Sequence, residues 1–307
     1  MAQEDYRAKI REIISEVKKT YSEYYLRENE AQNHLETKLV LERLSQSAEA
    51  RYATGQIPYH EVLRAHTELA TITNEVAKHY QQRDTALARL NSLWGREDAD
   101  PLEITVAIAD RTFSYTKEDL MKRALENRPE LRAMRYGVEA ASTDSKRAWL
   151  DLLPDGQVRI EARQFSGEGS IREYDTFLGL SVPVWSLVKG LGGEWKGADK
   201  DVQAAEASYG EMKNEVLLAI HEADAKVQTA LRGLTAYEQV ILPQAKQQVE
   251  VALSAYEAGR ADLLSLIDAQ RMLRDAQIAY YKFVADYEVG LADLRLAVGG
   301  PLVTSDQ

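Results

Sequence analysis

The side chains suited to chemistry are few in this chain of 307 residues, and their spacing does not group them. There is no cysteine, which excludes a disulfide, a thiolate nucleophile and a cysteine-bound zinc or iron–sulfur site. No two of the five histidines stand at the i, i+4 spacing that places two metal ligands on one helix face. The five are His34, His60, His66, His79 and His221. We therefore expect surface histidines and no metal site.

The motifs of nucleotide-binding and hydrolytic enzymes are also missing from the sequence. His60 and Glu61 begin like a zinc-protease motif, but the second histidine of that motif is not there. There is no phosphate-binding loop, no dinucleotide fingerprint and no Gly-x-Ser-x-Gly nucleophile elbow. Residues 190–193 are glycine-rich but lack the Lys-Ser/Thr ending of a phosphate-binding loop, which favours a turn. The sequence predicts a protein that is not an enzyme and binds no cofactor.

The charge balance argues against nucleic acid as a partner. The chain carries 38 Lys and Arg against 49 Asp and Glu, a net charge of −11, which repels a phosphate backbone.

No run of about 18 apolar residues is present, so we predict no transmembrane helix. The mean hydropathy of −0.42 agrees. Residues 1–5 lack the basic and apolar regions of a signal peptide, and we interpret them as a start supplied to a shortened gene.

Three segments have apolar residues at alternating steps of three and four, which is the heptad pattern of coiled coils. They run from Ile10 to Leu35 with Glu28 as a polar exception, from Tyr209 to Ile241, and from Leu263 to Val298. Each is much longer than the mean globular helix of about 11–12 residues. The pattern predicts long helices packed as in coiled coils, with Pro243 permitting at most a kink.

After residues 154–156 the heptad period gives way to strict alternation, which is typical of strands. The alternating apolar residues are Val158, Ile160 and Ala162, then Leu178, Leu180, Val182 and Val184 as far as Trp185. A polar loop at 166–170 separates the two runs. We predict a pair of strands, and the residues alone leave open whether the pair is solvated or faces lipid.

The chain contains an internal repeat with an offset of 204 residues. The offset pairs Tyr52 with Tyr256, Gly55 with Gly259, and Gly95 with Gly299. In each copy a long helix arrives, breaks at a Tyr-x-x-Gly turn, and a second long helix leaves and ends at a glycine. The first copy begins inside its arriving helix, from which we expect an N-terminal truncation.

These patterns predict a mainly α fold, with long antiparallel helices from a duplicated hairpin and a short strand pair. We divide the chain into a first-repeat hairpin (1–97), a linker or equatorial segment (98–126), the leading helix of the second repeat (127–154), the strand pair (155–193), the second-repeat hairpin (194–300) and a tail (301–307). Thr116 and Asp119 match an N-capping box in the linker. Pro129 suits the first turn of the next helix.

Four motifs, in this order, resemble the TolC-like outer membrane efflux proteins. They are Asn-Arg-Pro-Glu-Leu at 127–131, Leu-Pro at 153–154, Gly-Leu-Ser-Val-Pro-Val-Trp at 179–185, and the segment 256–273 after the second turn. The resemblance covers nearly the whole chain but lacks the first part of the family pattern. It implies a homotrimer in the outer membrane lipid with a periplasmic extension, whose subunits share one β-barrel and a helical tunnel. A passive efflux channel, a periplasmic adaptor protein and an inner-membrane pump are implied with it.

The resemblance also implies roles for particular residues. Asp268 and Leu264 take constriction positions, Tyr256 a gate-tethering position, and Asp262 lies beside them. Gly55, Gly259, Tyr52 and Arg260 match the tip that meets the adaptor, and Leu178, Leu180, Val182, Val184 and Trp185 match a lipid-facing strand. A ring of three Asp268 carboxylates would bind cations. Without the resemblance, Asp268 suits a solvated helix face, Asp262 an N-cap, and the chain a soluble helical scaffold that binds partner coiled coils.

Overall fold

The computed structural model describes residues 2–96, 115–150, 155–164, 172–181 and 194–300. In chain order the elements are α1 (Ala2–Ala53), α2 (Tyr59–Trp94), α3 (Lys117–Asn127), α4 (Pro129–Leu150), β1 (Asp155–Gln164), β2 (Arg172–Ser181), α5 (Glu194–Ala236), a π segment (Tyr237–Ile241), α6 (Leu242–Glu257) and α7 (Leu263–Val298). This confirms the predicted mainly α fold with a short strand pair. None of the helices within these ranges is long and apolar enough to cross a membrane.

The long helices that the heptad pattern predicted are present. Helix α1 has 52 residues, and α2 and α7 have 36 each. Neither α1 nor α2 contains a glycine or a proline, the residues that interrupt helices. Of the heptad positions in α1, Tyr24 and Ala31 are buried, whereas Ile10 and Ile13 are 39% and 45% exposed. The start of α1 therefore presents apolar side chains that the described residues cover only in part.

Local capping signals place helix ends where the sequence predicted them. The Oγ1 of Thr116 accepts a hydrogen bond from the N–H of Asp119 at 3.3 Å and caps α3. Helix α4 begins at Pro129, where the missing N–H costs no intrahelical bond. Gly95 and Gly299 end α2 and α7 at φ 65° and 77°, in the left-handed region that glycine enters without a steric penalty.

The arriving helix of the second copy is interrupted once, next to Pro243. Residues Tyr237–Ile241 form a π-helical turn, and the N–H of Leu242 bonds to the carbonyl of Tyr237. A proline inside an α-helix removes one i→i−4 bond, and its ring crowds the carbonyl four residues earlier. The wider π turn directly before Pro243 accommodates both effects. The helical path thus continues through the proline, as the sequence allowed.

Strands β1 and β2 form an antiparallel pair, with Val158 opposite Leu178 and Gly156 opposite Leu180. Because successive side chains in a strand point to opposite faces, the register divides the pair into an apolar and a mainly polar face. The first face carries Val158, Ile160, Tyr174, Thr176, Leu178 and Leu180, and the second Gln157, Arg159, Glu161, Asp175 and Phe177. This confirms the alternation that the sequence predicted.

The chain divides into two compact units. One comprises residues 1–6 and 129–215, and the other residues 7–128 and 216–307. In the second unit, α1, α2, α6 and α7 share a buried apolar cluster near the Tyr-x-x-Gly turns. The six predicted segments stay a prediction. Parts of them, at 97–114, 151–154, 165–171, 182–193 and 301–307, lie outside the described residues.

Candidate functional site at the helix turns

The two Tyr-x-x-Gly turns have the same backbone structure. In each, the glycine N–H bonds to the tyrosine carbonyl, and the next N–H bonds to the carbonyl before the tyrosine, at 2.8–3.0 Å. This is the Schellman arrangement, and it holds Gly55 and Gly259 at φ 71° and 68°. The predicted tip residues Tyr52 and Arg260 are exposed in these turns.

The two turn tyrosines differ in their surroundings. The side chain of Tyr52 is 46% exposed, and its ring lies 5.1 Å from the ring of Tyr59. Tyr256 is 3% exposed and belongs to the apolar cluster with residues such as Leu44 and Ile267. The buried hydroxyl of Tyr256 makes no hydrogen bond with the described residues. Within the described residues, Tyr256 is therefore held by packing and through its backbone carbonyl, not through its hydroxyl, and its gate-tethering role stays a prediction.

Arg51, at the end of α1, fastens the second turn to the first copy. Its Nη1 donates to the carbonyl of Tyr256 at 3.0 Å, and its Nη2 donates to the carbonyl of Glu257 at 3.1 Å. Its guanidinium carbon also lies 4.5 Å from the centre of the Tyr256 ring, within cation–π range. The last carbonyls of a helix have no intrahelical partner and carry partial negative charge, so α6 offers a favourable site for this cation.

Asp262 caps the helix that leaves the second turn. Its Oδ1 accepts hydrogen bonds from the hydroxyl and the N–H of Ser265, at 2.5 and 3.0 Å. These bonds, the hydroxyl first, lower the pKa of the Asp262 carboxyl. The N-cap interpretation of Asp262 is confirmed. The equivalent residue of the first copy is Pro58, which caps α2 without a side-chain hydrogen bond.

Two carboxylates of α2 bind α7 across the copies. Glu61 Oε2 accepts a hydrogen bond from the N–H of Leu263 at 3.4 Å. The carboxylate of Glu68 takes two hydrogen bonds from the guanidinium of Arg271, with 2.8 Å between Oε1 and Nε. The Glu68 side chain is 11% exposed, and a buried carboxylate is stable when it is paired in this way. Sequence reasoning missed Arg51, Glu61 and Glu68, because their partners lie some two hundred residues away and no local motif marks them.

The two predicted constriction residues lie in the first turns of α7. Asp268 has a side chain that is 57% exposed, and its Oδ1 is 3.7 Å from Nη1 of Arg271. Leu264 is half-buried. The equivalent residues of α2 are Arg64 and His60, both exposed. The second copy alone thus offers a carboxylate at this position.

The sheet exposes two of the five residues predicted to face lipid. Leu178 and Leu180 are 76% and 71% exposed, on the same face as Val158. Leu178, Leu180 and Val158 thus form an exposed apolar face of the strand pair. The other three, Val182, Val184 and Trp185, lie outside the described residues.

The prediction of surface histidines is wrong for His34. This residue is 6% exposed, and its ring stacks on that of His79, with the ring centres 4.1 Å apart. The two rings come together because α1 and α2 pack against each other at this level. The overlooked signal is an acidic residue four positions before each histidine, Glu30 on α1 and Glu75 on α2, which places acid and histidine on one helix face.

The long hairpins, the strand pair and the turns define a known class of protein. The sequence family described as outer membrane efflux protein matches residues 1–96 and 120–300. The chain therefore belongs to the outer membrane efflux protein family, as its motifs predicted.

Individual relatives are similar over much of the chain. It is 26% identical to the cobalt-zinc-cadmium resistance protein CzcC of Cupriavidus metallidurans, over 78% of this chain and 56% of that protein. It is 25% identical to the pyoverdine export outer membrane protein OpmQ of Pseudomonas aeruginosa, over 84% of this chain and 54% of that protein. The chain thus spans about half the length of these two curated relatives.

Solved structures share the fold. The outer membrane protein VceC from Vibrio cholerae aligns with a TM-score of 0.78 at 19% identity, over 98% of this chain and 73% of that one. The structure of CusC aligns with a TM-score of 0.79 at 17% identity, over 97% of this chain and 71% of that one. At these identities the likeness concerns the fold.

Proposed function

We propose that this chain is a subunit of a homotrimeric outer membrane efflux channel, a passive tunnel that is gated at its helix turns. Family membership, the duplicated long hairpins and the exposed apolar face of the sheet support this. On this proposal, the sheet face with Leu178 and Leu180 meets lipid, and Val182, Val184 and Trp185 are expected to meet it as well. The partly exposed apolar side chains of Ile10 and Ile13 suit contact with neighbouring subunits.

The proposed partners are a periplasmic adaptor protein and an inner-membrane pump that supplies the energy. The adaptor would meet the turn residues Gly55, Gly259, Tyr52 and Arg260. The Schellman turns support this, because they fix the backbone of two loops and still leave Tyr52 and Arg260 open to a partner. The exposed Tyr52–Tyr59 ring pair offers that partner an apolar contact.

The proposal of a gate rests mainly on the polar contacts between the two copies of the hairpin. Arg51 binds the α6 terminus, and Glu68 binds Arg271 on α7. When such a contact breaks and its groups become exposed to water, hydrogen bonds to water replace the lost ones. Breaking the contact therefore costs less free energy than the strength of the bond in isolation suggests. In our proposal the α6–α7 turn leaves α1 and α2 on opening, these bonds break, and Asp268 and Leu264 move out of the constriction.

The proposed subunit assembly is tested by the mass of the purified chain in solution, measured by light scattering with and without detergent. We expect a trimer of the 34.6 kDa chain in detergent and aggregation without it. A stable, detergent-free monomer would contradict the channel and favour the soluble helical scaffold.

The gate is tested by conductance in planar lipid bilayers. Glu68→Gln keeps the size of the side chain but removes the charge that holds Arg271, so we expect the open probability to rise roughly fivefold, the equivalent of about 1 kcal/mol. Glu49→Gln is the matched control, because Glu49 pairs with His66 inside the first hairpin at an exposed site. An unchanged open probability in Glu68→Gln would contradict the gate.

The proposed ring of carboxylates has its own readout, the ratio of cation to anion permeability. Asp268→Asn should reduce cation selectivity, since it removes three charges from the constriction of a trimer. Asp275→Asn is the control, because Asp275 lies on the same helix with a side chain that is 67% exposed. Equal effects of the two substitutions would place Asp268 on an ordinary solvated face.

A further inference from the structure

Two acid–histidine pairs face each other between α1 and α2, away from the turns. Glu30 precedes His34 by one helical turn on α1, and Glu75 precedes His79 by one helical turn on α2. His34, Glu75 and His79 each offer one ligand atom, and these atoms lie within 4.8 Å of one another. Two imidazoles and a carboxylate form a donor set that suits first-row transition metals, zinc included.

The hydrogen bonding of His34 leaves a lone pair directed away from its own helix. Its Nδ1 lies 2.8 Å from the backbone carbonyl of Glu30, and a carbonyl accepts a proton but cannot donate one. The proton of the neutral ring is therefore on Nδ1, and Nε2 carries the lone pair. A backbone carbonyl commonly fixes a metal-binding histidine in this way.

The ring of His79 has an unmet hydrogen-bonding requirement. Its Nδ1 is buried and makes no hydrogen bond within the described residues. The nearby carboxylate oxygens stand 3.5 Å from Nδ1, on Glu30, and 3.6 Å from Nε2, on Glu75. A buried polar atom without a hydrogen-bond partner costs free energy of folding. Such a cost is removed if the atom binds a ligand.

Two nearby basic side chains, Arg27 and Lys78, determine which of the two carboxylates is available to bind a metal ion. Arg27 binds the buried Glu30 carboxylate at 2.8 Å, so Glu30 is already neutralised and suits an outer position. Lys78 binds Glu75 at 3.1 Å, but the Lys78 side chain is 55% exposed and can turn to solvent. Glu75 is therefore the carboxylate that a metal ion can take over.

We propose that His34, Glu75 and His79 bind one divalent cation of the zinc class, which joins α1 to α2. Zinc–ligand bonds of 2.0–2.1 Å in a tetrahedron place ligand atoms about 3.3 Å apart, so the side chains close by small rotations on binding. Three protein ligands leave the fourth position to water. The inference goes beyond the proposed channel function, since it concerns a site inside the first hairpin and not the gate.

The site is tested by titrating Zn²⁺ into the full chain in a calorimeter. We expect one Zn²⁺ per chain, with affinity lowered at least about tenfold by Glu75→Gln and by His79→Ala. His66→Ala is the matched control, because His66 lies on the same helix and pairs with an exposed Glu49. Equal binding by wild type and His79→Ala, or equal loss in His66→Ala, would overturn the proposal.

Two further measurements keep the test independent of folding and of channel activity. Co²⁺ in place of Zn²⁺ should give the intense visible absorption of a tetrahedral site in wild type and His66→Ala, and not in Glu75→Gln. Zn²⁺ should raise the Tm of wild type and leave that of Glu75→Gln unchanged, since a ligand that binds the folded state stabilises it. Folding of each variant is checked by circular dichroism before the titration. A Tm rise of the same size in folded Glu75→Gln would contradict the site.

Discussion

The two copies of the hairpin have the same turns but different interiors. The backbone hydrogen bonds of both Tyr-x-x-Gly turns agree, yet Tyr52 is 46% exposed and Tyr256 is 3% exposed. The side chain of the second tyrosine is covered by residues of the first copy, Arg51 among them, while nothing comparable in the described residues covers the first. Duplication therefore preserved the fold of the turn, and the contact between the copies buried the tyrosine of one turn and left that of the other exposed.

The copies also differ in length. Ala86 on α2 and Gly290 on α7 are equivalent by the repeat offset of 204 residues. Tyr24 packs with Ala86 in the first copy, and Val227 lies against Gly290 in the second, so Tyr24 and Val227 take equivalent places on the arriving helices. Tyr24 precedes its turn tyrosine by 28 residues, whereas Val227 precedes its own by 29. The second copy thus has one residue more in its arriving helix, and the π segment at Tyr237–Ile241 lies within that stretch.

With that extra residue counted, the interiors can be compared position by position. The stacked rings of His34 and His79 correspond to Tyr237 and Phe283, whose ring centres are 5.4 Å apart. Glu30 corresponds to Gly233, and the Phe283 ring lies directly against that glycine. One hairpin therefore has a polar, charged interior where the other has an aromatic one.

The largest expected effect distinguishes the two turn tyrosines. Tyr256→Ala removes a buried ring and leaves a cavity, so it should lower the free energy of unfolding by about 3–5 kcal/mol. Tyr52→Ala removes an exposed ring and should cost less than about 1 kcal/mol. Urea unfolding followed by circular dichroism measures both. Tyr256→Phe should stay near wild type, since the hydroxyl makes no hydrogen bond with the described residues. Equal losses for the two alanine variants would mean that the turns are packed alike.

A change in stability of intermediate size is expected from substitutions that test the aromatic interior of the second copy. A Cβ at Gly233 would lie 2.5 Å from the Phe283 ring, so Gly233→Ala should destabilise the protein by about 1–3 kcal/mol. Gly210→Ala on the same helix meets no atom of the described residues within 4 Å and should stabilise the protein by up to about 1 kcal/mol. Thermal unfolding of the two variants gives the comparison. A neutral Gly233→Ala would show that the ring moves aside freely.

The smallest effect concerns the caps of the departing helices and depends on pH. The pKa of Asp262 is lowered in the folded state, so its carboxylate stabilises the fold above the ordinary pKa, and this contribution is lost as the pH falls through the lowered value. Asp262→Ala should cost about 1 kcal/mol at neutral pH. Relative to wild type, that cost should shrink below about pH 4. Pro58→Ala in the first copy is the control, because its effect should not change with pH. A pH-independent cost of Asp262→Ala would contradict the cap.

The features that the sequence predicted well are those that depend on neighbours in the chain. The Thr116 cap, the helix ends at Gly95 and Gly299, and the alternation of the strands each follow from residues within a few positions of one another. Both turns could be located from the repeat, because the same Tyr-x-x-Gly pattern occurs twice at one offset. For a similar reason the family was recognisable from ordered motifs.

The features that the sequence did not predict depend on which helices lie side by side. Arg51 and Glu68 are ordinary charged residues in the sequence, and their role arises because α6 and α7 pack beside them. His34 was misjudged because only spacing between histidines was considered, although its partner His79 is on another helix. Roles for Asp268 and Leu264 stay predictions, since a ring requires neighbouring subunits.

The π segment also sets the rotational phase of the second hairpin. One residue turns an α-helix by about 100°, so an insertion in an unbroken helix would carry all side chains beyond it off the inner face. The wider turn absorbs that rotation locally, and Leu234 before it and Ala245 after it are both buried. Removing one residue from Tyr237–Ile241 would therefore be tolerated far better than removing one from the α-helical turns on either side.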